Sequence, residues 1–178
     1  MGALLALSRA IDAINRAIGK LFGWLVLVAV LVSAVNASVR YIFSNSSNAW
    51  LELQWYLFAG VFLMCAPYTL LMNEHIRIDI ISGRMSKTAR NWLEVIGLVF
   101  FLAPLCIIML YEGWQFFLQS YPNEQSNNAG GLLRWPVKSL ILFGFGLLLA
   151  QTVSELIKRV AVMQGRIADP HASKSGAH

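Results

Sequence analysis

Charged side chains that border long apolar stretches are the residues of this sequence with the greatest potential for chemistry. A charge at the centre of a bilayer costs about 2.5–3.5 kcal/mol, so a charge kept there usually serves ion or proton transport. Counting about 1.5 Å per residue along a helix places each of these charges near one end of its stretch. The residues are Arg40, Glu52, Glu94, Glu112 and Glu155. The sequence therefore predicts no Asp, Glu, Lys, Arg or His at mid-membrane, where a self-contained ion-coupled transporter normally keeps a charged or proton-binding side chain.

The histidines and cysteines argue against a haem or metal site. His75, His171 and His178 lie outside the apolar stretches, so they cannot supply axial haem ligands from facing helices. Cys65 and Cys106 each lie within an apolar run without a neighbouring His or acid, which is typical of packing residues. The sequence also lacks a nucleophile–base pair, a carboxylate pair and a Gly-rich phosphate loop. We therefore expect no enzymatic activity, no cofactor and no metal.

The overall composition favours a membrane protein. Hydrophobic residues make up 57% of the 178 residues and charged residues 13%, whereas soluble domains are about a quarter charged. A soluble monomer of this composition would expose more apolar surface than water tolerates, so lipid is the expected solvent. The formal charge of +5 lies in short clusters between apolar runs, which favours loops beside membrane spans over a nucleic-acid partner.

Four apolar stretches are long enough to cross a membrane, which takes about 20 residues as a helix. Short polar segments separate them, which predicts one all-α, polytopic membrane domain over residues 1–164. The predicted spans are residues 21–43, 50–72, 91–121 and 136–160. Residues 165–178 contain Gly, Pro, Ser and Lys, and we predict that they form a disordered cytoplasmic tail.

The distribution of Lys and Arg predicts the orientation of these spans. Three basic residues precede the first span and four lie between the second and third spans. Another four lie at the end of the fourth span or after it, namely Lys158, Arg159, Arg166 and Lys174. The remaining three, Arg40, Arg134 and Lys138, lie on the opposite side. Because cytoplasmic loops carry the excess of positive charge, both termini are predicted to lie in the cytoplasm, as in a multi-pass protein of the bacterial inner membrane.

The segment before the first span has the pattern of an amphipathic helix. Its apolar residues recur at spacings of three and four, and charged residues occupy the opposite face. The apolar residues are Leu4, Leu7, Ile11, Ile14 and Ile18, and the charged residues are Arg9, Asp12, Arg16 and Lys20. We expect this helix to lie on the cytoplasmic membrane surface. The alternative is that it extends the first span into the cytoplasm.

Three polar motifs lie at the ends of the spans. They are SNAWLELQWYLF at residues 47–58, NEHIRID at residues 73–79 and NAGGLLRWPVK at residues 128–138. The candidate site residues within them are Trp50, Glu52, Gln54, Trp55, His75, Arg77, Asp79, Arg134, Trp135 and Pro136. In this order on four spans, the motifs resemble the small membrane subunit (DctQ-like) of tripartite ATP-independent periplasmic (TRAP) transporters. The third motif resembles the branch labelled mannitol/chloroaromatic.

The resemblance extends from about the first span to Arg159 and implies a role with partners. In this family the small subunit has four membrane helices and binds a large, DctM-like permease subunit that carries the substrate and sodium sites. A periplasmic substrate-binding protein delivers an organic anion, usually a carboxylate. The resemblance thus implies a non-catalytic subunit that braces the large subunit of a sodium-coupled symporter for organic acids. Phospholipids are its other expected contacts.

Each motif also has a simpler interpretation. Glu52 and the neighbouring Trp residues could form polar contacts with a partner. Alternatively, Glu52 is an acid at the start of a helix, where the helix dipole favours negative charge, and the Trp residues are anchors at the membrane interface. Many relatives carry a second acid here, where this sequence has Leu53 and Gln54, so no paired-carboxylate role is carried over. The second motif is either an ordered cytoplasmic turn that grips the partner or a solvated loop. The third either touches the binding protein or only connects two spans.

A different class of function stays open at this point. A stand-alone, proton-coupled small exporter could work as a homo-oligomer with Glu52 or Glu112 as its proton carrier. That interpretation predicts transport by this chain alone and its loss on Glu→Gln substitution. The accessory-subunit interpretation predicts no transport by the chain alone.

Overall fold

Helices account for almost all residues that the structure, a computed structural model, describes. These residues are 2–43, 48–72, 87–121 and 131–167. The helices are α1 (Gly2–Phe43), α2 (Asn48–Met72), α3 (Lys87–Ile96), α4 (Ala103–Ser120) and α5 (Trp135–Met163), and a π-helical segment, Gly97–Leu102, joins α3 to α4.

Four helical stretches are long and apolar enough to cross a membrane, which confirms the all-α fold with four spans. They are Gly2–Phe43, Asn48–Met72, Asn91–Ser120 and Trp135–Met163. The last three agree with the predicted spans to within a few residues. The third consists of most of α3, the π-helical segment and α4, without a break in the helix.

The first span merges with the amphipathic segment. α1 is one continuous helix of 42 residues, about 63 Å at 1.5 Å per residue, whereas the hydrocarbon core is about 30 Å thick. The N-terminal segment is therefore helical, and it continues into the first span without a turn, which agrees with the alternative that it extends that span. Leu4, Leu7 and Ile14 are about half exposed, while Ser8 and Asn15 are buried against the rest of the protein. The apolar face of this segment thus points away from the bundle.

α5 is the central helix of the bundle. It contacts α1, α2, α3, α4 and the π-helical segment, and α1 and α2 also pack against each other. α1 and α2 run antiparallel. Gly19 lies against Tyr68 near the end of α2, whereas Ser33, further along α1, binds Gln54 near the start of α2. The third span packs against a different side of α5. Both ends of the described chain consequently lie at the same end of the bundle.

Gly144 allows α2 and α5 to approach closely. A Cβ atom at this position would lie 2.8 Å from the Leu63 Cβ and 2.9 Å from the Leu63 carbonyl oxygen. In lipid, helices associate through such close van der Waals contact, since burial of apolar surface from water cannot drive it. Gly146 lies on another face of α5, and a Cβ atom added there would have no neighbouring atom within 4 Å.

The third span changes its hydrogen-bonding pattern near its middle. Pro104 is the second residue after the π-helical segment and has no amide hydrogen for the carbonyl one turn earlier. A π-helical turn accommodates such a break, because its hydrogen bonds span one more residue. Phe100 and Phe101 within the segment are 70% and 74% exposed. The widened turn therefore presents two aromatic rings on the outer surface.

Candidate functional site

Polar side chains from α1 and α5 form a buried cluster at the end of the bundle where both described chain ends lie. We call this group the α1–α5 cluster. Its members are Ser8, Asp12, Asn15, Gln151, Ser154, Glu155 and Lys158. Gln151 is completely buried at its centre. The side-chain oxygen of Gln151 accepts from Asn15 Nδ2 at 2.7 Å, and its Nε2 donates to Asp12 Oδ1 at 2.9 Å and to Glu155 Oε1 at 3.0 Å.

Lys158 provides the positive charge between the two acids of this cluster. Its Nζ lies 3.0 Å from Asp12 Oδ2 and 2.5 Å from Glu155 Oε1. The Ser154 hydroxyl donates to Asp12 Oδ1 at 2.7 Å and is itself 2.7 Å from the Ser8 hydroxyl. Carboxylates removed from water are stable only when cations and hydrogen-bond donors surround them. The cluster therefore fixes the N-terminal part of α1 to α5.

Sequence reasoning missed this cluster, although a signal for it exists. The sequence pattern places Asp12 on a charged outer face with Arg9, Arg16 and Lys20, but of these four residues only the three basic ones are exposed. On α5 the polar residues Gln151, Ser154, Glu155 and Lys158 recur at i, i+3, i+4 and i+7, which places them on one helix face. A polar face at the end of a membrane span predicts a polar partner.

A second ion pair joins the third span to α5 at the same end. Arg159 is buried, with its Nη2 2.5 Å from Glu94 Oε2 and its Nη1 3.5 Å from Asn91 Oδ1. From the sequence, Arg159 is only one of the positive charges that predict the orientation of the spans. Its side chain instead holds the start of the third span against the end of the last helix.

Charged residues also meet at the opposite end of the bundle, around a cavity of about 390 Å³. We call it the Glu52 cavity. α2, α4 and α5 line it with Glu52, Trp55, Tyr56, Ala59, Leu63, Phe116, Arg134, Val137, Lys138 and Ile141. Glu52 is only 3% exposed and Lys138 only 7%. The Lys138 Nζ donates to the Ser120 hydroxyl and lies 3.9 Å from the centroid of the Phe116 ring, in cation–π geometry.

The structure brings some of the predicted site residues together at this cavity. Glu52 and Trp55 from α2 and Arg134 from the start of α5 all line it. Lys138, which sequence reasoning treated only as a charge on the outer side, belongs to the same group. A lysine this close to the start of a span is expected to extend its ammonium group towards water. Lys138 is buried because it contacts Ser120 and Phe116, and no local sequence pattern reveals these contacts.

The other residues of the first and third motifs lie beside the cavity. Gln54 donates from Nε2 to the Ser33 hydroxyl on α1. Trp50 is 44% exposed, as an interfacial anchor would be. Trp135 makes an edge contact with the Tyr121 ring at 6.0 Å, and Pro136 occupies the first turn of α5, where a missing amide hydrogen costs nothing.

The second motif lies outside the described residues. His75, Arg77 and Asp79 belong to residues 73–86, which the described ranges do not include. The same holds for most of the predicted tail, residues 168–178. Within the described ranges, no group of three or more His, Cys, Asp or Glu side chains could hold a metal ion.

Comparison with known proteins assigns the chain to a transporter family. The family model described as "Tripartite ATP-independent periplasmic transporters, DctQ component" matches residues 29–162. No curated protein and no solved structure matched the chain. The matched region begins within α1 and ends at the last turn of α5, so it contains parts of all four spans. The chain belongs to the DctQ family, which supplies the small membrane component of TRAP transporters.

Proposed function

We propose that this chain is a non-catalytic scaffold that braces the large permease subunit of a sodium-coupled TRAP transporter for organic acids. The supporting observation is the placement of charge. In the described helices, no Asp, Glu, Lys, Arg or His lies in the middle of the predicted spans, residues 21–43, 50–72, 91–121 and 136–160. Three buried or mostly buried cations, Lys138, Lys158 and Arg159, make contacts between helices of the same chain at the two ends of the bundle. Such an arrangement stiffens a bundle and leaves substrate and sodium binding to another subunit.

The outward faces of the spans suit a protein partner embedded in lipid. Few residues in the most apolar stretches of two spans are buried within this chain. The buried share is 6% in the third span and 11% in α1. These faces give the large subunit ample apolar surface for close helix packing. The motif at residues 128–138 further suggests the mannitol/chloroaromatic branch of the family, and with it 2-oxo acids or related monocarboxylates as the cargo.

The proposed setting is the bacterial inner membrane, with both termini in the cytoplasm. Ser8 of α1 lies beside Ser154 of α5, so the two ends of the described chain are on one side. That end also carries most of the Lys and Arg residues, which the positive-inside rule assigns to the cytoplasm. The Glu52 cavity then faces the periplasm, where a substrate-binding protein would dock on the assembled transporter.

Affinity purification from the native membrane tests the scaffold role. In mild detergent, we expect the chain to elute with a larger, very hydrophobic subunit in equal molar amount, as mass spectrometry of the eluate would reveal. The chain reconstituted alone into proteoliposomes is expected to transport no organic acid. Elution of the chain alone, or only with copies of itself, would contradict the proposal.

Substitution of the two outer acids separates the scaffold from the proton-coupled exporter. Glu52 is buried beside Arg134 and Lys138, and Glu112 is exposed on α4. In proteoliposomes that contain the complete transporter, we expect Glu52→Gln to lower the transport rate by less than about tenfold, which is about 1.4 kcal/mol. Glu112→Gln is the matched control and should leave the rate unchanged. Abolished transport in either variant would favour the exporter.

A further inference from the structure

We propose that the Glu52 cavity binds one membrane phospholipid. Its phosphodiester lies against Arg134 and Lys138, and one acyl chain follows the apolar wall formed by Ala59, Leu63 and Ile141. This site goes beyond the scaffold role and does not depend on it, because the described residues that line the cavity come from α2, α4 and the start of α5 of this chain.

Charge at the rim of the cavity matches a lipid phosphate. The rim holds two basic side chains, Arg134 and Lys138, and one acid, Glu52, so its formal charge is positive. Arg134, Val137 and Lys138 belong to the start of α5, where the positive end of the helix dipole also favours an anion. Arginine and lysine are the side chains that hold phosphate oxygens through charge-assisted hydrogen bonds.

The polarity of the lining changes along the membrane normal, as that of a phospholipid does. Glu52 lies in the second turn of α2, whereas Ala59 and Leu63 lie seven and eleven residues further along it. At 1.5 Å per residue these positions are about 10 Å and 16 Å deeper in the membrane. Every lining residue at that depth is apolar, while the charges are confined to the rim. A free anion such as inorganic phosphate has no apolar part that could contact these deeper residues, whereas the acyl chain of a phospholipid does.

A row of aromatic rings near the rim of the Glu52 cavity indicates that this rim lies at the level of lipid headgroups. The rings of Trp114, Phe117, Tyr121 and Trp135 contact one another in sequence, with centroid distances of 6.2, 5.7 and 6.0 Å. Trp and Tyr concentrate where acyl chains meet headgroups. Trp135 directly follows Arg134, so the two basic residues lie at the depth of a phosphate.

The size of the cavity fits part of one lipid molecule. Sites that bind small molecules typically measure about 300–1,000 Å³, and the Glu52 cavity measures about 390 Å³. That volume accommodates a phosphate with its glycerol and the first part of one chain. The remainder of the lipid would lie against the neighbouring bilayer.

Native mass spectrometry of the full chain, with any subunit that copurifies, tests the proposal. After delipidation, phosphatidylglycerol with one palmitoyl and one oleoyl chain is titrated into the protein. We expect one bound lipid per wild-type chain and binding about tenfold weaker for Arg134→Gln, which removes a charge-assisted contact to phosphate. Ala59→Phe keeps all the charges but fills the apolar slot, and it should weaken binding by a similar factor.

Arg40→Gln is the matched control. Arg40 is exposed near the end of α1, on the same side of the membrane as Arg134 but outside the cavity. This variant should bind lipid as the wild type does. Equal binding by all four proteins would overturn the proposal. Displacement of the lipid by millimolar inorganic phosphate would also overturn it, because the cavity would then be a site for a free anion.

Photo-crosslinking distinguishes a lipid from a protein partner. Trp55 lines the cavity and is 61% exposed, so Trp55→p-benzoylphenylalanine places the reactive group at its mouth. Irradiation of native membranes should add the mass of a phospholipid to the chain. A crosslink to another protein, or no phospholipid adduct, would show that the cavity serves a different purpose.

Discussion

Replacement of Lys158 by methionine is expected to lower the free energy of unfolding by about 3 kcal/mol. Met keeps the length of the side chain but leaves Asp12 and Glu155 without the cation that lies 3.0 Å and 2.5 Å from them. Loss of one partner of a buried ion pair typically costs about 3–5 kcal/mol. The lower end applies, because the side chains of Lys158 and Asp12 are 12% and 18% exposed.

Unfolding with sodium dodecyl sulfate in mixed micelles, followed by circular dichroism, measures this effect. Lys20→Met is the matched control, since Lys20 is exposed on α1 at the same end of the bundle and also counts toward the positive-inside charge. We expect the control to change stability by less than about 0.5 kcal/mol. A Lys158→Met variant as stable as Lys20→Met would mean that the α1–α5 cluster contributes little.

Limited proteolysis adds a local readout for the same variant. The α1–α5 cluster fixes the N-terminal part of α1, so its loss should raise the rate of tryptic cleavage after the exposed residues Arg9 and Arg16. In a double-mutant cycle, Asp12→Asn combined with Lys158→Met should cost less than the sum of the two single changes. Additive costs would exclude direct coupling between Asp12 and Lys158.

Gly144→Ala is expected to destabilise the protein by about 1–3 kcal/mol, a large effect for a single methyl group. The new Cβ would lie 2.9 Å from the backbone carbonyl oxygen of Leu63, which cannot rotate away as a side chain does. α2 and α5 must therefore move apart along their length. The same denaturant titration measures the loss.

Gly146→Ala supplies the control on the same helix. Its Cβ would meet nothing within 4 Å, so the higher helix propensity of alanine should leave stability unchanged or raise it by up to about 1 kcal/mol. If both alanine variants behaved alike, the close approach of α2 and α5 would not be a determinant of stability. If only Gly144→Ala also lost the large subunit on purification, the α2–α5 contact would matter for the surface that this subunit binds.

The two polar ends suggest how a small bundle could resist movement of a larger neighbour. The α1–α5 cluster fixes α1, Arg159 fixes the third span, and Lys138 reaches Ser120 at the opposite end. All three groups converge on α5. A partner that moves past this bundle would therefore meet three spans, α1, the third span and α5, that are joined by polar contacts at their ends.

The positions of the spans followed from the sequence alone. Apolar runs of about 20 residues specify a membrane helix because backbone polar groups in lipid must be satisfied within the segment itself. The same local counting placed Glu52 and Glu155 near span ends, since each charge could be located by residue number along a helix. The three motifs then identified the family, which the family model confirmed.

Only the tertiary structure decided which helix faces meet. Sequence reasoning placed Asp12 among exposed charges and Lys138 at an outer rim, and it gave no reason to choose α5 as the central helix. In the structure Ser8 contacts Ser154, 146 residues away, and Asn15 contacts Gln151, 136 residues away. A hydropathy value is a sum over neighbouring residues of one segment. A buried ion pair instead depends on how two helices are shifted and rotated relative to each other. That geometry arises only when the helices have packed, so no local pattern determines it.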